Sequence, residues 1–118
     1  MSLRSDIVDA FQNFTVGGVS VPVKFLYYLG HGEPYVVYGE TNINNTLSGD
    51  DGILDYVVYY DFDVYSKGNY DAICEKVIET NETIGFTWVP SGSSADLYDP
   101  DTGYYHKTLQ FAYPVMKG

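Results

Sequence analysis

The stretch that decides the fold starts at Pro34-Tyr-Val-Val-Tyr-Gly-Glu40 and ends at Gly85. The first run leads into the polar segment Thr41-Asn-Ile-Asn-Asn-Thr-Leu-Ser-Gly-Asp-Asp-Gly52. The long run Ile53-Leu-Asp-Tyr-Val-Val-Tyr-Tyr-Asp-Phe-Asp-Val-Tyr65 comes next. Residues 69–84 then read Asn-Tyr-Asp-Ala-Ile-Cys-Glu-Lys-Val-Ile-Glu-Thr-Asn-Glu-Thr-Ile. These patterns predict, in order, an apolar strand, an exposed loop rich in turn residues, a long strand and a helix.

The run 53–65 alternates between two kinds of side chain, as a strand with two different faces does. We expect the even-numbered face to be core: Leu54, Tyr56, Val58, Tyr60, Phe62 and Val64. The other face carries Ile53, Asp55, Val57, Tyr59, Asp61, Asp63 and Tyr65. Thirteen residues span about 40 Å at the usual rise, whereas most strands have five or six residues. This strand is therefore predicted to extend beyond its own domain.

Apolar spacing predicts two amphipathic helices. The first has Leu3, Ile7, Ala10, Phe11 and Phe14 on one stripe, and Gly17-Gly18 is its expected stop. The second has a stripe of Tyr70, Ile73, Cys74, Val77 and Ile78, with Asn69 as the expected cap and Gly85 just beyond its end. Both helices are expected to cover a sheet.

The remaining predicted strands are 19–29, 35–40, 86–89 and a last one from Tyr105 to Tyr113. The order is α-β-β-β-α-β-β. We therefore predict an α+β fold: one domain over residues 1–118, with a mixed, mostly antiparallel sheet of about four to five strands packed by two helices.

Composition makes some classes of function unexpected for this chain. Six basic and sixteen acidic residues give a net charge of −10, which repels nucleic acid and anionic lipid, so specific nucleic-acid binding is not expected. No apolar run is long enough for a membrane span, and the N-terminal segment is amphipathic, so the cytoplasm is the expected site before assembly. The single cysteine, Cys74, is expected to be a buried apolar thiol.

Aromatic content indicates an interface. The chain has thirteen tyrosines and one tryptophan, and aromatic side chains are enriched where proteins meet. Val57, Tyr59 and Tyr65 lie on the outer face of the long strand and are the predicted subunit interface. The alternative is that another element covers this second face of the sheet.

The two histidines, His31 and His106, have no neighbouring ligand at metal-binding spacing, so neither is predicted to bind a metal. Asp61 and Asp63 share a strand face as paired catalytic acids do, but two solvated acids explain the pattern equally well. No phosphate loop, nucleophile elbow or Cys/His pair occurs. We expect no catalytic residue, no metal and no cofactor.

A run of acids near the C-terminus resembles a calcium loop only superficially. It contains Asp96, Asp99 and Asp101, but Pro100 and the lack of a later glutamate break the EF-hand pattern. A capped turn is the better interpretation.

The run 34–40, the strand 55–66 and the helix 70–84 together resemble the tail terminator, or tail-completion, proteins of long-tailed bacteriophages and prophages. That family has an extended strand reading roughly Pro-Tyr-Val-Val-x-Gly-Glu, then a loop, a long strand ending near a serine, and a helix. The resemblance implies a structural protein of the virion tail that is not an enzyme. Its expected partners are its own copies in a ring, commonly hexameric, the tail tube protein and the head connector.

The resemblance also assigns a role to the loop 41–52. In a ring through which DNA passes, Asn44, Asn45, Asp50 and Asp51 are expected to face the lumen or the tube, where the acids would repel DNA. An outward-facing loop is the alternative. Other functions left open are a carbohydrate-binding module that uses exposed tyrosines and Trp88, a related head-tail neck protein and, last, a small enzyme built on the Asp61/Asp63 pair.

Overall fold

A computed structural model describes residues 3–45 and 54–116, with side chains for 3–41 and 56–115. The described chain is one α+β domain with two helices, as predicted. Its elements, in chain order, are α1 (Leu3–Ala10), β1 (Thr15–Val16), β2 (Val19–Ser20), β3 (Val23–Phe25), β4 (Tyr35–Asn45), β5 (Leu54–Ser66), α2 (Asp71–Thr83), β6 (Thr87–Val89), a 3₁₀ turn (Pro90–Gly92), β7 (Leu97–Asp99) and β8 (Tyr104–Met116).

The main sheet has the strand order β3-β4-β5-β8-β6, and β7 also pairs with β8. Since β5 occupies one side of β8 along its whole length, β6 and β7 share the other side. Only the β3–β4 pair is parallel. The prediction of four to five strands is wrong: the described residues form eight, six of them in this sheet. The additional strands have two or three residues, which is too short to show alternation in the sequence.

The core lies between the sheet and the helices. The predicted core face of β5 is confirmed from Val58 to Val64, whereas Tyr56 is only partly buried and the side chain of Leu54 lies outside the described residues. Val58, Tyr60, Phe62 and Val64 of β5 are buried, and Phe62 is 0% exposed. The ring of Phe62 lies 5.2 Å from that of Tyr38, and the rings of Phe11 and Phe111 lie 5.5 and 5.4 Å from it. Leu109 and Phe111 of β8 are buried beside them.

Helix α2 forms as its stripe predicts. Ile73, Cys74 and Val77 are buried, and burial raises the pKa of the Cys74 thiol to about 11. The N-cap residue is Tyr70, which makes no side-chain cap bond, rather than the expected Asn69. Asn69 accepts a hydrogen bond from the backbone N–H of Asp71 at 2.9 Å just before the helix. Gly85 has φ 102°, a conformation that favours glycine, and ends the helix as predicted.

The N-terminal third differs from its prediction in two ways. Helix α1 ends at Ala10, and the Gly17-Gly18 pair forms the two-residue turn of the β1–β2 hairpin, since both have positive φ. The predicted strand 19–29 is broken into β2 and β3. Pro22 separates the two strands, and Leu26 adopts φ 65°, which ends β3. This backbone geometry is rare for leucine and is not visible in the pattern of apolar residues.

The predicted loop 41–52 is wrong in its first part, because β4 continues to Asn45. Asn44 and Asn45, predicted to lie in the loop, pair instead with Val57 and Tyr56, after an irregularity between Glu40 and Asn42. Asparagine disfavours strands intrinsically, but pairing with a long neighbour overrides that preference. Asp50 and Asp51 lie outside the described residues. In the part of the chain that is described, no helix is long and apolar enough to cross a membrane.

Candidate functional site on the open face of the sheet

The side of the sheet opposite the two helices carries the predicted interface residues Val57, Tyr59 and Tyr65, together with the acids Asp61 and Asp63. We call it the open face. Strand register brings side chains of three strands together on it. These are Tyr35, Val37 and Gly39 of β4, Val57, Tyr59, Asp61, Asp63 and Tyr65 of β5, and Tyr104, His106, Thr108, Gln110, Ala112 and Pro114 of β8.

One end of the open face is an aromatic stack. Tyr35, Tyr65 and His106 are neighbours on adjacent strands. The Tyr65 ring lies 4.6 Å from Tyr35 and 4.3 Å from His106, and both pairs are nearly parallel. Tyr104 meets Tyr35 edge to face at 5.2 Å. Burial raises the pKa of Tyr35 to about 12, so its hydroxyl group stays protonated at neutral pH.

The segment 26–33, which we call the β3–β4 loop segment, folds over this stack. The backbone N–H of Gly32 donates to the Tyr104 hydroxyl at 2.8 Å, and that hydroxyl donates to the carbonyl of Glu33 at 3.0 Å. Tyr28 donates a short hydrogen bond to the Glu33 carboxylate, which also accepts from the N–H of His31 at 2.7 Å. The predicted interface residue Tyr65 therefore lies in an ordered aromatic cluster.

The middle of the open face is polar. Thr108 donates to Asp63 at 2.6 Å, and Nε2 of His106 lies 3.4 Å from the same carboxylate oxygen. Burial and the charge of Asp63 raise the pKa of Asp61, and a hydrogen bond from Gln110 opposes the shift. One oxygen of Asp61 is buried and lacks a hydrogen-bond partner among the described residues.

Few of the described residues around Asp61 and Asp63 could take part in catalysis or metal binding. Asp61 and Asp63 border a depression of about 190 Å³, which is smaller than most small-molecule sites. No thiol or histidine lines it. The described residues contain no group of three or more histidine, cysteine or acidic side chains that would hold a metal ion. His106 stacks on Tyr65, and His31 lies in the β3–β4 loop segment. The arrangement places Asp61, whose pKa is raised, beside Asp63, which accepts a hydrogen bond from Thr108.

The other end of the open face, which we call the distal end, carries the remaining predicted interface residues. Val57 and Tyr59 are half-buried. They pair with Pro114 and Ala112 of β8, respectively. On the helix side of this end, side-chain burial decreases: Val58 is buried, whereas Tyr56 and Val115 are only partly buried. The three longest strands thus continue past the buried core as paired backbone.

The acids near the C-terminus form the predicted capped turn. Asp99 accepts from the N–H of Asp101 at 3.0 Å, and its carbonyl accepts from Gly103 at 2.8 Å. Asp96 accepts from the Tyr70 hydroxyl. Trp88, proposed as a sugar-stacking residue, is half-buried, and its indole N–H donates to Ser93 at 3.2 Å.

Exposed apolar residues at the two edges of the sheet were missed by the sequence prediction. Leu26, Tyr27 and Leu29 follow β3, and Leu97 and Tyr98 belong to β7. The signal was present in the run Phe25-Leu-Tyr-Tyr-Leu29, which is continuously apolar or aromatic and does not alternate. The function of these surfaces has to be inferred from their own residues, because no protein-family model matches the chain and no curated protein is significantly similar to it.

Proposed function

We propose that this protein is a ring-forming structural subunit of a long-tailed bacteriophage tail, which caps the tail tube and joins it to the head connector. The observation that supports the proposal best is the length of β4, β5 and β8, with 11, 13 and 13 residues. Helix α2 spans about 20 Å, whereas β5 spans about 43 Å. The molecule measures 50 × 26 × 21 Å, so the strands set its long axis.

A projecting three-stranded sheet suits an assembly subunit. Its central strand β5 is paired on both sides, by β4 and β8, and its side chains remain for a neighbour. Val57 and Tyr59 lie on the distal end, where an apolar and an aromatic side chain offer contact area at low cost in rotamer entropy. We propose that they contact the adjacent subunit or the tail tube in the assembled virion, with Tyr65 extending the contact along the strand.

The acidity of the chain supports the same role. A ring that surrounds DNA benefits from a surface that DNA does not bind, and the chain carries a net charge of −10. Asn44 and Asn45 end β4 at the distal end of the sheet. We propose that this end, together with Asp50 and Asp51, faces the lumen or the tube.

The experiment that tests the proposal is deletion of the gene followed by complementation with the wild-type chain. The gene would be deleted from the phage or prophage that carries it, and tails would be imaged by electron microscopy. Loss of the cap is expected to give overlong tubes without heads, and supplying the wild-type chain is expected to restore normal length. Tails of normal length and complete particles after deletion would refute the proposed function.

The carbohydrate-binding and neck-protein alternatives give different outcomes in the same system. A neck protein would leave tails of normal length that fail to join heads. A carbohydrate-binding module would leave assembly intact and would bind glycans on an array. The bonded indole of Trp88 and the stacked ring of Tyr65 leave fewer free aromatic faces for a sugar than the tyrosine content indicates.

A further inference from the structure

A cavity lies on the helix side of the sheet, at the N-terminus of α2. Tyr105 of β8 has the same parity as the buried Leu109, so its side chain is on the helix side of that strand. Helix α2 begins only at Asp71, and Tyr105 is 43% exposed. The cavity has a volume of about 440 Å³, which falls in the range of small-molecule sites. Its lining residues are Lys67, Gly68, Asn69, Tyr70, Asp96 and Tyr105.

The floor of this cavity is aromatic and continues onto β7. Tyr98 of β7 pairs with Tyr105, and their rings lie 4.7 Å apart, tilted by 46°. Tyr98 is 54% exposed, so the two rings together leave aromatic surface open to solvent. Tyr70 is buried beside them, and its hydroxyl group donates to the carboxylate of Asp96. Such a surface suits a ligand that has one apolar face.

The rim of the cavity is polar, and its charges balance. Asp96 provides a carboxylate and Lys67 an ammonium group. Asn69 accepts from the backbone N–H of Asp71 through its side-chain oxygen, which leaves its amide N–H groups as donors. Lys107 lies 3.9 Å from Asp96, and Asp71 is in the first turn of α2. Two lysines and two acids attract neither a cation nor an anion, so the rim favours a neutral ligand with hydrogen-bonding groups.

From these observations we infer that the cavity binds the ring of a neutral saccharide. A pyranose ring has a face of C–H groups that lies well on an aromatic ring, here that of Tyr105. Its hydroxyl groups both donate and accept hydrogen bonds, so they pair with the carboxylate of Asp96 and with the donors of Lys67 and Asn69. A purely apolar group would use the floor and leave the rim unused. This site is a function beyond the proposed tail role and does not depend on it.

The test is titration of the wild-type chain with glucose, galactose, mannose and N-acetylglucosamine, followed through the NMR chemical shifts of the backbone amides. At least one of these sugars is expected to bind saturably, with a Kd of about 1–10 mM, as suits a single ring in an open site. The amides that shift are expected to be those of residues 67–71, 96–98 and 105–107. Failure of all these sugars to bind saturably, or shifts confined to other residues, would overturn the inference.

Substitutions separate the floor from the rim. Tyr105→Ala removes the ring and is expected to weaken binding about tenfold, whereas Tyr105→Phe keeps the ring and should bind as wild type does. Asp96→Ala removes the acceptor and is also expected to weaken binding. Matched controls are Tyr27→Ala and Asp101→Ala, which remove an exposed tyrosine and an exposed acid outside the cavity. Circular dichroism should show that all variants are folded. Unchanged binding by Tyr105→Ala, or an equal loss in Tyr27→Ala, would overturn the inference.

The outcome is separable from that of the proposed function, because sugar binding is measured on the purified chain and tail length on the virion. Sugar binding at this cavity by a chain whose deletion leaves tails unchanged would support the site and refute the tail role. Overlong tails after deletion, with no sugar bound by the chain, would refute the site and leave the tail role standing. Impaired capping by Tyr105→Ala in a chain that binds no sugar would show that this surface contacts a protein instead, and would overturn the inference.

Discussion

Tyr104 and Gly32, which lie 72 residues apart in the sequence, are joined by a hydrogen bond of 2.8 Å from the Gly32 N–H to the tyrosine hydroxyl. The same hydroxyl donates to the carbonyl of Glu33, so one side-chain oxygen satisfies two backbone groups of the β3–β4 loop segment. Tyr104 is buried, and its ring supports Tyr35. The long final strand thereby positions the β3–β4 loop segment, which carries the exposed residues Leu26, Tyr27 and Leu29.

Tyr104→Phe keeps the ring and removes both hydrogen bonds. We expect the free energy of unfolding to fall by about 1–3 kcal/mol, because two backbone groups lose a partner while the packing remains. Urea unfolding followed by circular dichroism measures this. Tyr27→Phe is the control, since Tyr27 is largely exposed, and its change should be within about 0.5 kcal/mol. Equal effects of the two substitutions would show that the hydroxyl of Tyr104 does not hold the loop.

Phe62→Ala tests the core assignment of β5. Phe62 is fully buried between rings from the turn after α1, from β4 and β8, and from the segment after α2, so we expect a loss of about 3–5 kcal/mol. Val77→Ala on α2 should also destabilise the chain, by less. Glu79→Ala, on the exposed side of the same helix, should have little effect. If Glu79→Ala matched Phe62→Ala in chemical unfolding, the proposed packing of the helix on the sheet would be wrong.

Asp61 gives a prediction about pH. Burial and the neighbouring Asp63 raise its pKa above the ordinary value of 3.8, so the folded chain binds this proton more tightly than the unfolded chain does. The stability contributed by protonated Asp61 is present below pH 3.8 and is lost as pH rises through the raised pKa. Asp61→Asn removes this titration. Its melting temperature should therefore rise relative to wild type as pH increases over that window.

The exposed Asp9 provides the matched control for this measurement, through Asp9→Asn. Thermal unfolding of both variants and wild type would be followed at several pH values between acid and neutral. A stability difference between Asp61→Asn and wild type that stays constant with pH, or that reverses in sign, would contradict the raised pKa.

Val57→Lys and Tyr59→Lys test the distal end. Each should leave the chain folded, because both residues lie outside the core. Each should impair capping, because a charge buried in an interface without a partner is costly. Circular dichroism reports the fold, and tail length in electron micrographs reports the cap. Glu79→Lys on the helix side is the control. Tails of normal length from both variants would place the contact elsewhere.

Prediction from the sequence succeeds where a periodic pattern is long. Thirteen alternating residues identify β5 and its buried face, and the stripe of α2 identifies that helix with its glycine stop. It fails where the structure depends on pairing or on one unusual backbone angle. Asn44 and Asn45 belong to a strand only because β5 lies beside them, and the φ of Leu26 ends β3 without any signal in the composition.

The candidate site, like the fold, could be predicted only in part from the sequence. Val57, Tyr59, Asp61, Asp63 and Tyr65 share one face because they share a parity, and the sequence shows this directly. Their partners Tyr35, His106 and Thr108 come from other strands. Register decides which residues meet, and a shift by one residue would move His106 to the opposite face. The Tyr65–His106 stack therefore becomes visible only in the folded chain.

The central position of β5 has a consequence for how this protein can vary. Val58, Tyr60, Phe62 and Val64 lie in the core on the helix side, and the residues between them face the open side. In a deep mutational scan selected for folding alone, tolerance along β5 should rise and fall with a period of two. Under selection for virion assembly, Val57 and Tyr59 should become as intolerant of substitution as their buried neighbours. Asp61 and Asp63 should remain tolerant. The difference between the two profiles would separate the requirements of folding from those of assembly, one residue at a time.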